Sequence, residues 1–276
     1  MADVRKEKLG EDISKTVEKV CLGLLNVRGK SVLIKPNVNS DDVYPGTTNP
    51  VIVRALVNLC FKKGAEKVIV GDKSSIFWPN SKGNMRKIGL TKAMEGSKAE
   101  LKVFDKFVKV AVDGKYLKSL RAAKDVLDAD CVIGVPVCHT HVLAVISMSL
   151  KLWMGAVTRR DRVVFHAGKL QEKIAEMNLV FKPMFCLLDA SKVMISGGPD
   201  KGVVREGKML FASRSRVALD IEGARFIQKL GGLRNVDIAN IKQISYAKEL
   251  GIKSVSYTHL RAHETSLHLV CRLLLE

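Results

Sequence analysis

The sequence predicts an α/β fold: a mainly parallel sheet flanked by helices in three layers, with a ligand cleft at the carboxyl ends of the strands. Three observations predict it. Short apolar runs of strand character alternate along the chain with segments of helical period. Several of these runs end in chemistry-bearing residues, Lys35-Pro36-Asn37, Gly71-Asp72 and Pro136 to His141, and strand ends are where open α/β sheets hold ligands. His139, His141 and His166, the histidines of the body of the chain, all follow one of those strand ends.

Residues 11–25 place Ile13, Val17, Val20, Cys21 and Leu24 at helical spacing, and Arg28-Gly29-Lys30 breaks the helix. Residues 31–37 read as a short buried strand ending at a proline. Thr48-Asn49-Pro50 has a capping side chain followed by proline at the first helical position, so a helix runs over 51–63 and closes at Gly64. Residues 67–72 form the next strand, completing a strand-helix-strand unit that crosses over into a parallel sheet. The middle is less regular: a short helix over 87–96, strands over 101–104 and 107–112, and a link over 119–124 into the strand at 130–136. After the histidines come a helix over 168–179, a buried strand over 184–189, a strand over 208–212, and a helix over 217–230 before Gly231-Gly232. A last short helix or pair covers 238–250. Residues 1–254 are read as one α/β domain. Residues 255–276, which contain His259, His263 and His268, resemble the translation of a sequencing adaptor and are read as a non-native tail.

Composition narrows the function. No run of eighteen apolar residues appears, and the first fifteen residues lack an apolar signal core, so the expected compartment is the cytoplasm, with no membrane partner. Cys21, Cys60, Cys131, Cys138 and Cys186 form no Cys-x-x-Cys pair, which argues against an iron-sulfur cluster or a structural zinc site. The net charge of +18 favours anionic partners: a small molecule, a polycarboxylate cofactor or nucleic acid. Between Phe61 and Asp125, sixteen Lys or Arg face six Asp or Glu. Aromatics are only 5%, however, and single-strand binders interleave stacking rings with their cations.

Lys35 and Asn37 lie just before a helix start whose free backbone N–H groups suit a carboxylate or phosphate. Asp72 at the adjacent strand end can orient a ligand, or cap its own turn. Ser196-Gly197-Gly198-Pro199-Asp200-Lys201-Gly202 can fold its amides into an anion nest or make an ordinary tight turn. His139 and His141, two apart on an extended segment, share one side of it. Imidazoles ligate borderline metals or move protons near neutral pH, and a partly buried Lys151 can act as a nucleophile or hold an anion.

Together, Lys35-Pro36-Asn37, Thr48-x-Pro50, Gly64-Ala65, Val70-Gly71-Asp72, Ala129-Asp130, Pro136 to His141, Lys151, Gly155, His166, Asp189, Gly197-Gly198-Pro199 and Val217 to Asp220 resemble the DUF362 family over most of residues 32–253. Some members of that family carry ferredoxin-type cysteine motifs, which this chain lacks. It also departs at Leu152, where the family has asparagine, and at Ser215-Arg216, where it has Asp-Pro. More distantly, the strand-His-Lys-His order is similar to the N-terminal part of nickel-pincer lactate racemases. That resemblance implies acid/base work for His141, cofactor holding for Lys151 and metal ligation for His166. The racemases' partner histidine, expected near Asp72, is absent, which argues against two-base racemisation.

The residues thus point to a protein that binds an anionic small molecule or cofactor, with a metal ion or metallocofactor as a candidate companion. Lys35, Asn37, Asp72, Lys151, Gly197 and Gly198 are the candidate binding residues, His141 and Lys151 the candidate catalytic pair, and His166 the candidate metal ligand. The alternatives are a non-catalytic nucleic-acid binder using the basic 62–124 region, and an accessory subunit of a redox system recognisable by a large exposed apolar patch.

Overall fold

The computed structural model describes residues 3–252; the tail at 255–276 lies outside them. Along the chain the elements are β1 (Arg5–Lys8), α1 (Ile13–Val20), β2 (Ser31–Pro36), α2 (Pro50–Lys62), β3 (Lys67–Asp72), α3 (Ser81–Lys87), α4 (Leu90–Met94), β4 (Glu100–Val103), β5 (Phe107–Ala111) and β6 (Ser119–Ala123). They continue as α5 (Lys124–Asp128), β7 (Cys131–Val135), β8 (Val137–His141), β9 (Val145–Ser147), α6 (Arg159–His166), α7 (Leu170–Met177), β10 (Phe185–Gly197), β11 (Gly202–Ser213), α8 (Arg216–Lys229) and α9 (Lys242–Glu249). A 3-10 turn over Lys151–Ala156 precedes α6.

The main sheet runs β1-β11-β10-β7-β2-β3-β4, with β8 paired to β10 and to β9. From β10 to β4 every pairing is parallel, whereas β1 and β11 add antiparallel strands at one edge. From β2 the chain steps outward through β3 and β4, then returns to the other side of β2 as β7. The boundary between β2 and β7 is therefore a topological switch point, where neighbouring connections leave in opposite directions and open a crevice.

Period-two alternation sorts the strand residues between two apolar layers. Val32 and Ile34 of β2, Val68 and Val70 of β3, and Cys131 and Ile133 of β7 pack with α1 and α2. Leu33, Ile69 and Val132 face the opposite layer, to which α7, α8 and α9 contribute. Asn49 caps α2 by accepting from the Val51 N–H, with Pro50 in the first turn, as the sequence predicts.

Elsewhere the structure differs from the local reading. β1 is the polar run Arg-Lys-Glu-Lys, which has no apolar signal because only pairing with β11 makes it a strand. The link expected over 119–124 is largely a strand, β6, in a two-stranded sheet with β5. The helix expected over 87–96 is the shorter α4, and α3, which was not expected, precedes it across Gly89 at φ +82°. The strands expected over 184–189 and 208–212 extend into the long β10–β11 hairpin. Among the described residues no helix is long and apolar enough to cross a membrane.

Candidate functional site

A pocket of about 390 Å³ opens at the switch point. Its walls come from the strand ends and from the loops that follow them: Asn37 and Asn39 after β2, Asp72 to Trp78 at and after β3, Pro136 to His141 along β8, Lys151 to Gly155 in the 3-10 turn, and Arg162 and His166 on α6. Pro199 and Asp200, from the β10–β11 turn, close one side. Thr48 joins the two strand ends beneath it: its hydroxyl donates to the Val135 carbonyl at 2.8 Å and accepts from the Asn37 N–H at 2.6 Å.

Lys35 and Asp72 form a buried ion pair at this junction, Nζ to Oδ1 at 2.7 Å, with side-chain exposures of 1% and 2%. Lys35 also donates to the Pro36 carbonyl at 3.1 Å. The Asp72 carboxylate accepts from the backbone N–H groups of Val38 and Lys73 as well. Burial draws the Lys35 ammonium below its ordinary pKa, against the pull of Asp72. This geometry gives Lys35 and Asp72 the task of tying the β2 and β3 ends together. It also explains Gly155: a methyl there would overlap Asp72 Oδ1 and come within 2.6 Å of Lys35 Nζ.

Lys151 is in a different situation. Asp220 of α8 accepts from the Ser149 and Leu150 N–H groups and from the Ser149 hydroxyl, which fixes the start of the 3-10 turn and so the root of Lys151. Its side chain lines the pocket, and among the described residues its ammonium has neither an ion-pair nor a hydrogen-bond partner. Burial and the nearby Arg162 guanidinium lower its pKa to about 8, with Asp200 opposing them. Arg162 itself is buried, donating to the carbonyls of Lys73, Ser74 and Val157, and thus holds the β3 loop against α6. Sequence reasoning did not single out Arg162.

The three imidazoles present different atoms. His139 donates from Nδ1 to the Thr140 carbonyl at 2.8 Å, leaving Nε2 as an acceptor that is buried and unpartnered. His141 does the reverse: Nδ1 accepts from the Leu143 and Ala144 N–H groups at 3.1 and 3.2 Å, so the hydrogen sits on Nε2. Burial lowers the His139 pKa to about 4; burial and the Lys151 charge lower that of His141 to about 2. Both rings are neutral at neutral pH. His166, exposed at the end of α6, donates from Nδ1 to the Arg162 carbonyl at 2.7 Å and leaves Nε2 available. Backbone-tied Nδ1 is the arrangement that frees Nε2 of a histidine for a metal or a donor.

Of the sequence-predicted residues, Asn37, Asp72, His141, Lys151 and His166 line the pocket, and Lys35 lies directly beneath it, bonded to Asp72. Gly197 and Gly198 do not line it. They shape the β10–β11 turn at φ +75° and +79°, and the Gly198 N–H donates to the Lys201 carbonyl. Sequence reasoning missed Asp200, which stood within that glycine turn as a signal, and the apolar wall of Ile76, Phe77, Leu143 and Met154. In the basic 62–124 region, seven of the sixteen cations, Lys62, Lys63, Lys67, Lys87, Lys102, Arg121 and Lys124, sit beside a carboxylate, which partly offsets the positive field there.

Comparison with known proteins agrees with this architecture. A thylakoid-associated protein of Synechocystis sp. is 26% identical over 233 residues, covering 81% of this chain and 69% of its own length. The structure of the lactate racemase apoprotein from Thermoanaerobacterium thermosaccharolyticum superposes with a TM-score of 0.54 at 15% identity, a likeness of fold. It spans 82% of this chain, whereas this chain spans 57% of the racemase. The model for the family described as a domain of unknown function, DUF362, matches residues 32–225, and the chain belongs to that family.

Proposed function

We propose that the protein binds a small anionic ligand or cofactor in the pocket between β2 and β7, with Lys151 as the group that holds the anion. The observation that carries this reading is the unpaired Lys151 ammonium, held in a cavity of about 390 Å³ by Asp220. Lys151 is half-buried, and a half-buried ammonium left without a counter-ion offers a charge that an anionic ligand can pair. The orphaned polar atoms Ser75 Oγ, His139 Nε2 and Asp200 Oδ1 all belong to pocket-lining residues, which supports a bound partner there. In this reading His141 contributes an Nε2–H donor to the ligand. It is poorly suited to proton transfer, because Nδ1 is engaged by two backbone donors and the ring resists protonation.

Calorimetric titration with acetate, phenylpropionate and inorganic phosphate tests the reading. Lys151→Met is expected to weaken carboxylate binding by about 10- to 100-fold, the loss of one charge-assisted contact. Because the ammonium titrates near pH 8 in the free protein, affinity should be level below that pH and fall as pH rises through it. Unaltered affinity in Lys151→Met would dismiss the pocket as the anion site.

The resemblance to the racemases brings in a metallocofactor. A bare ion lacks a donor set, since no group of three or more His, Cys, Asp or Glu converges among the described residues. A metal arriving with its own ligands suits the residues better: His166 Nε2 would give it one bond, and Lys151 would hold the anionic part of the cofactor, which would supply electrophilic chemistry when bound. Metal analysis of purified protein against His166→Ala checks this; nickel, zinc or iron bound equally by both would release His166 from the role.

A further inference from the structure

The pocket carries opposite charges that do not meet. Asp200 lines the same cavity as Lys151, and its Oδ1 is buried without a hydrogen-bond partner. Neither residue has an ion-pair partner among the described residues, although each is close enough to shift the other's titration. Further charges act on each: Arg162 on Lys151, and both Asp42 and Lys201 on Asp200. The loop bearing Asp42 packs on the turn that presents Asp200, since Gly46 approaches both Asp42 and the Pro199 carbonyl.

Much of the wall of the same cavity is apolar. Phe77 and Trp78 meet edge to face at 6.3 Å, and Leu143 and Met154 line the same space. His139, 1% exposed, adds an Nε2 acceptor with no donor to satisfy it. An anion alone would complement Lys151 and leave the acceptors of Asp200 and His139 unanswered, and a buried acceptor without a donor is destabilising.

We propose that the ligand of this pocket is an amphipathic zwitterion of amino-acid size, its anionic group on Lys151, its ammonium group toward Asp200, and its apolar body against Phe77, Trp78 and Leu143. This rests on the anion-binding reading above and adds to it the class of ligand. The volume of about 390 Å³, near the small end of ligand pockets, suits such a molecule.

Matched probes test it by calorimetry on the full chain at neutral pH: phenylalanine against 3-phenylpropionate and phenethylamine, with leucine against 4-methylpentanoate as the aliphatic pair. The zwitterions should bind about tenfold or more tightly than the carboxylates lacking the amine, and phenethylamine should bind more weakly than phenylalanine. Asp200→Asn, a change in a surface turn, should bring each pair to within about threefold of one another. Equal or tighter binding of the plain carboxylates, or a preference that persists in Asp200→Asn, overturns the zwitterion while leaving the Lys151 anion site standing. If no carboxylate, with or without an amine, binds in a way that Lys151→Met abolishes, the anion site fails and the zwitterion with it.

Discussion

Replacing Asp72 with alanine is expected to cost about 3–5 kcal/mol of folding stability, the range for removing one partner of a buried ion pair. The Lys35 ammonium would remain in the interior with only the Pro36 carbonyl beside it, and the N–H groups of Val38 and Lys73 would lose their acceptor. These groups stand at the ends of β2 and β3, so the damage should reach the pocket wall as well as the global stability. Much of the penalty belongs to the uncompensated charge and not to the pair itself. The double replacement Lys35→Met with Asp72→Asn, which removes both charges and keeps an acceptor, should therefore recover about 1 kcal/mol or more relative to Asp72→Ala. Urea denaturation of the three proteins decides it: a loss below about 1 kcal/mol for Asp72→Ala would mean that water already reaches the pair.

Acid should unfold the protein through its histidines before its carboxylates titrate fully. His139 is neutral in the folded state down to about pH 4 and His141 to about 2, whereas in the unfolded chain both take up protons below about 6.5. Between those values the unfolded state binds the extra protons, so this contribution is complete above pH 6.5 and is lost as pH falls. At pH 4 the loss amounts to roughly 3 kcal/mol for each ring, which together is comparable with the whole net stability of an ordinary domain. Asparagine places an amide group where Nδ1 stood. The His139→Asn/His141→Asn protein, compared with the parent by denaturant titration from pH 7 to pH 4, should therefore show a much flatter decline. Parallel declines in the two proteins would place the acid sensitivity elsewhere.

Much of the architecture was legible because burial leaves a periodic trace. β2, β3, β7 and the start of β10 are apolar runs covered on both faces, and α2 carries its cap and its N-terminal proline in plain view. β1 and β6 left no such trace. One is a polar edge strand and the other half of a small hairpin, and in both the pairing partner lies far along the chain or across a loop. The site was legible to a similar degree. A strand end reveals that a residue is available to a cleft, so Asn37, Asp72 and His141 could be chosen by position, whereas Lys151 was singled out by its place in the histidine window and by resemblance. It does not reveal what else approaches that residue, which is why Lys35 looked like an anion-binding group when its charge is engaged by Asp72.

The sequence by itself determined the fold class, the family motifs and the stretch of chain that furnishes the pocket, because each depends on local propensity and on the order of elements. Tertiary structure alone decided the state of each functional group. Whether an ammonium is paired, which nitrogen of an imidazole bears the hydrogen, and whether Asp200 joins Lys151 in one cavity depend on neighbours tens of residues away, such as Asp220 beneath the Lys151 turn. Charge and hydrogen bonding are set by distances of a few ångströms in space, and those distances first exist when the chain has folded.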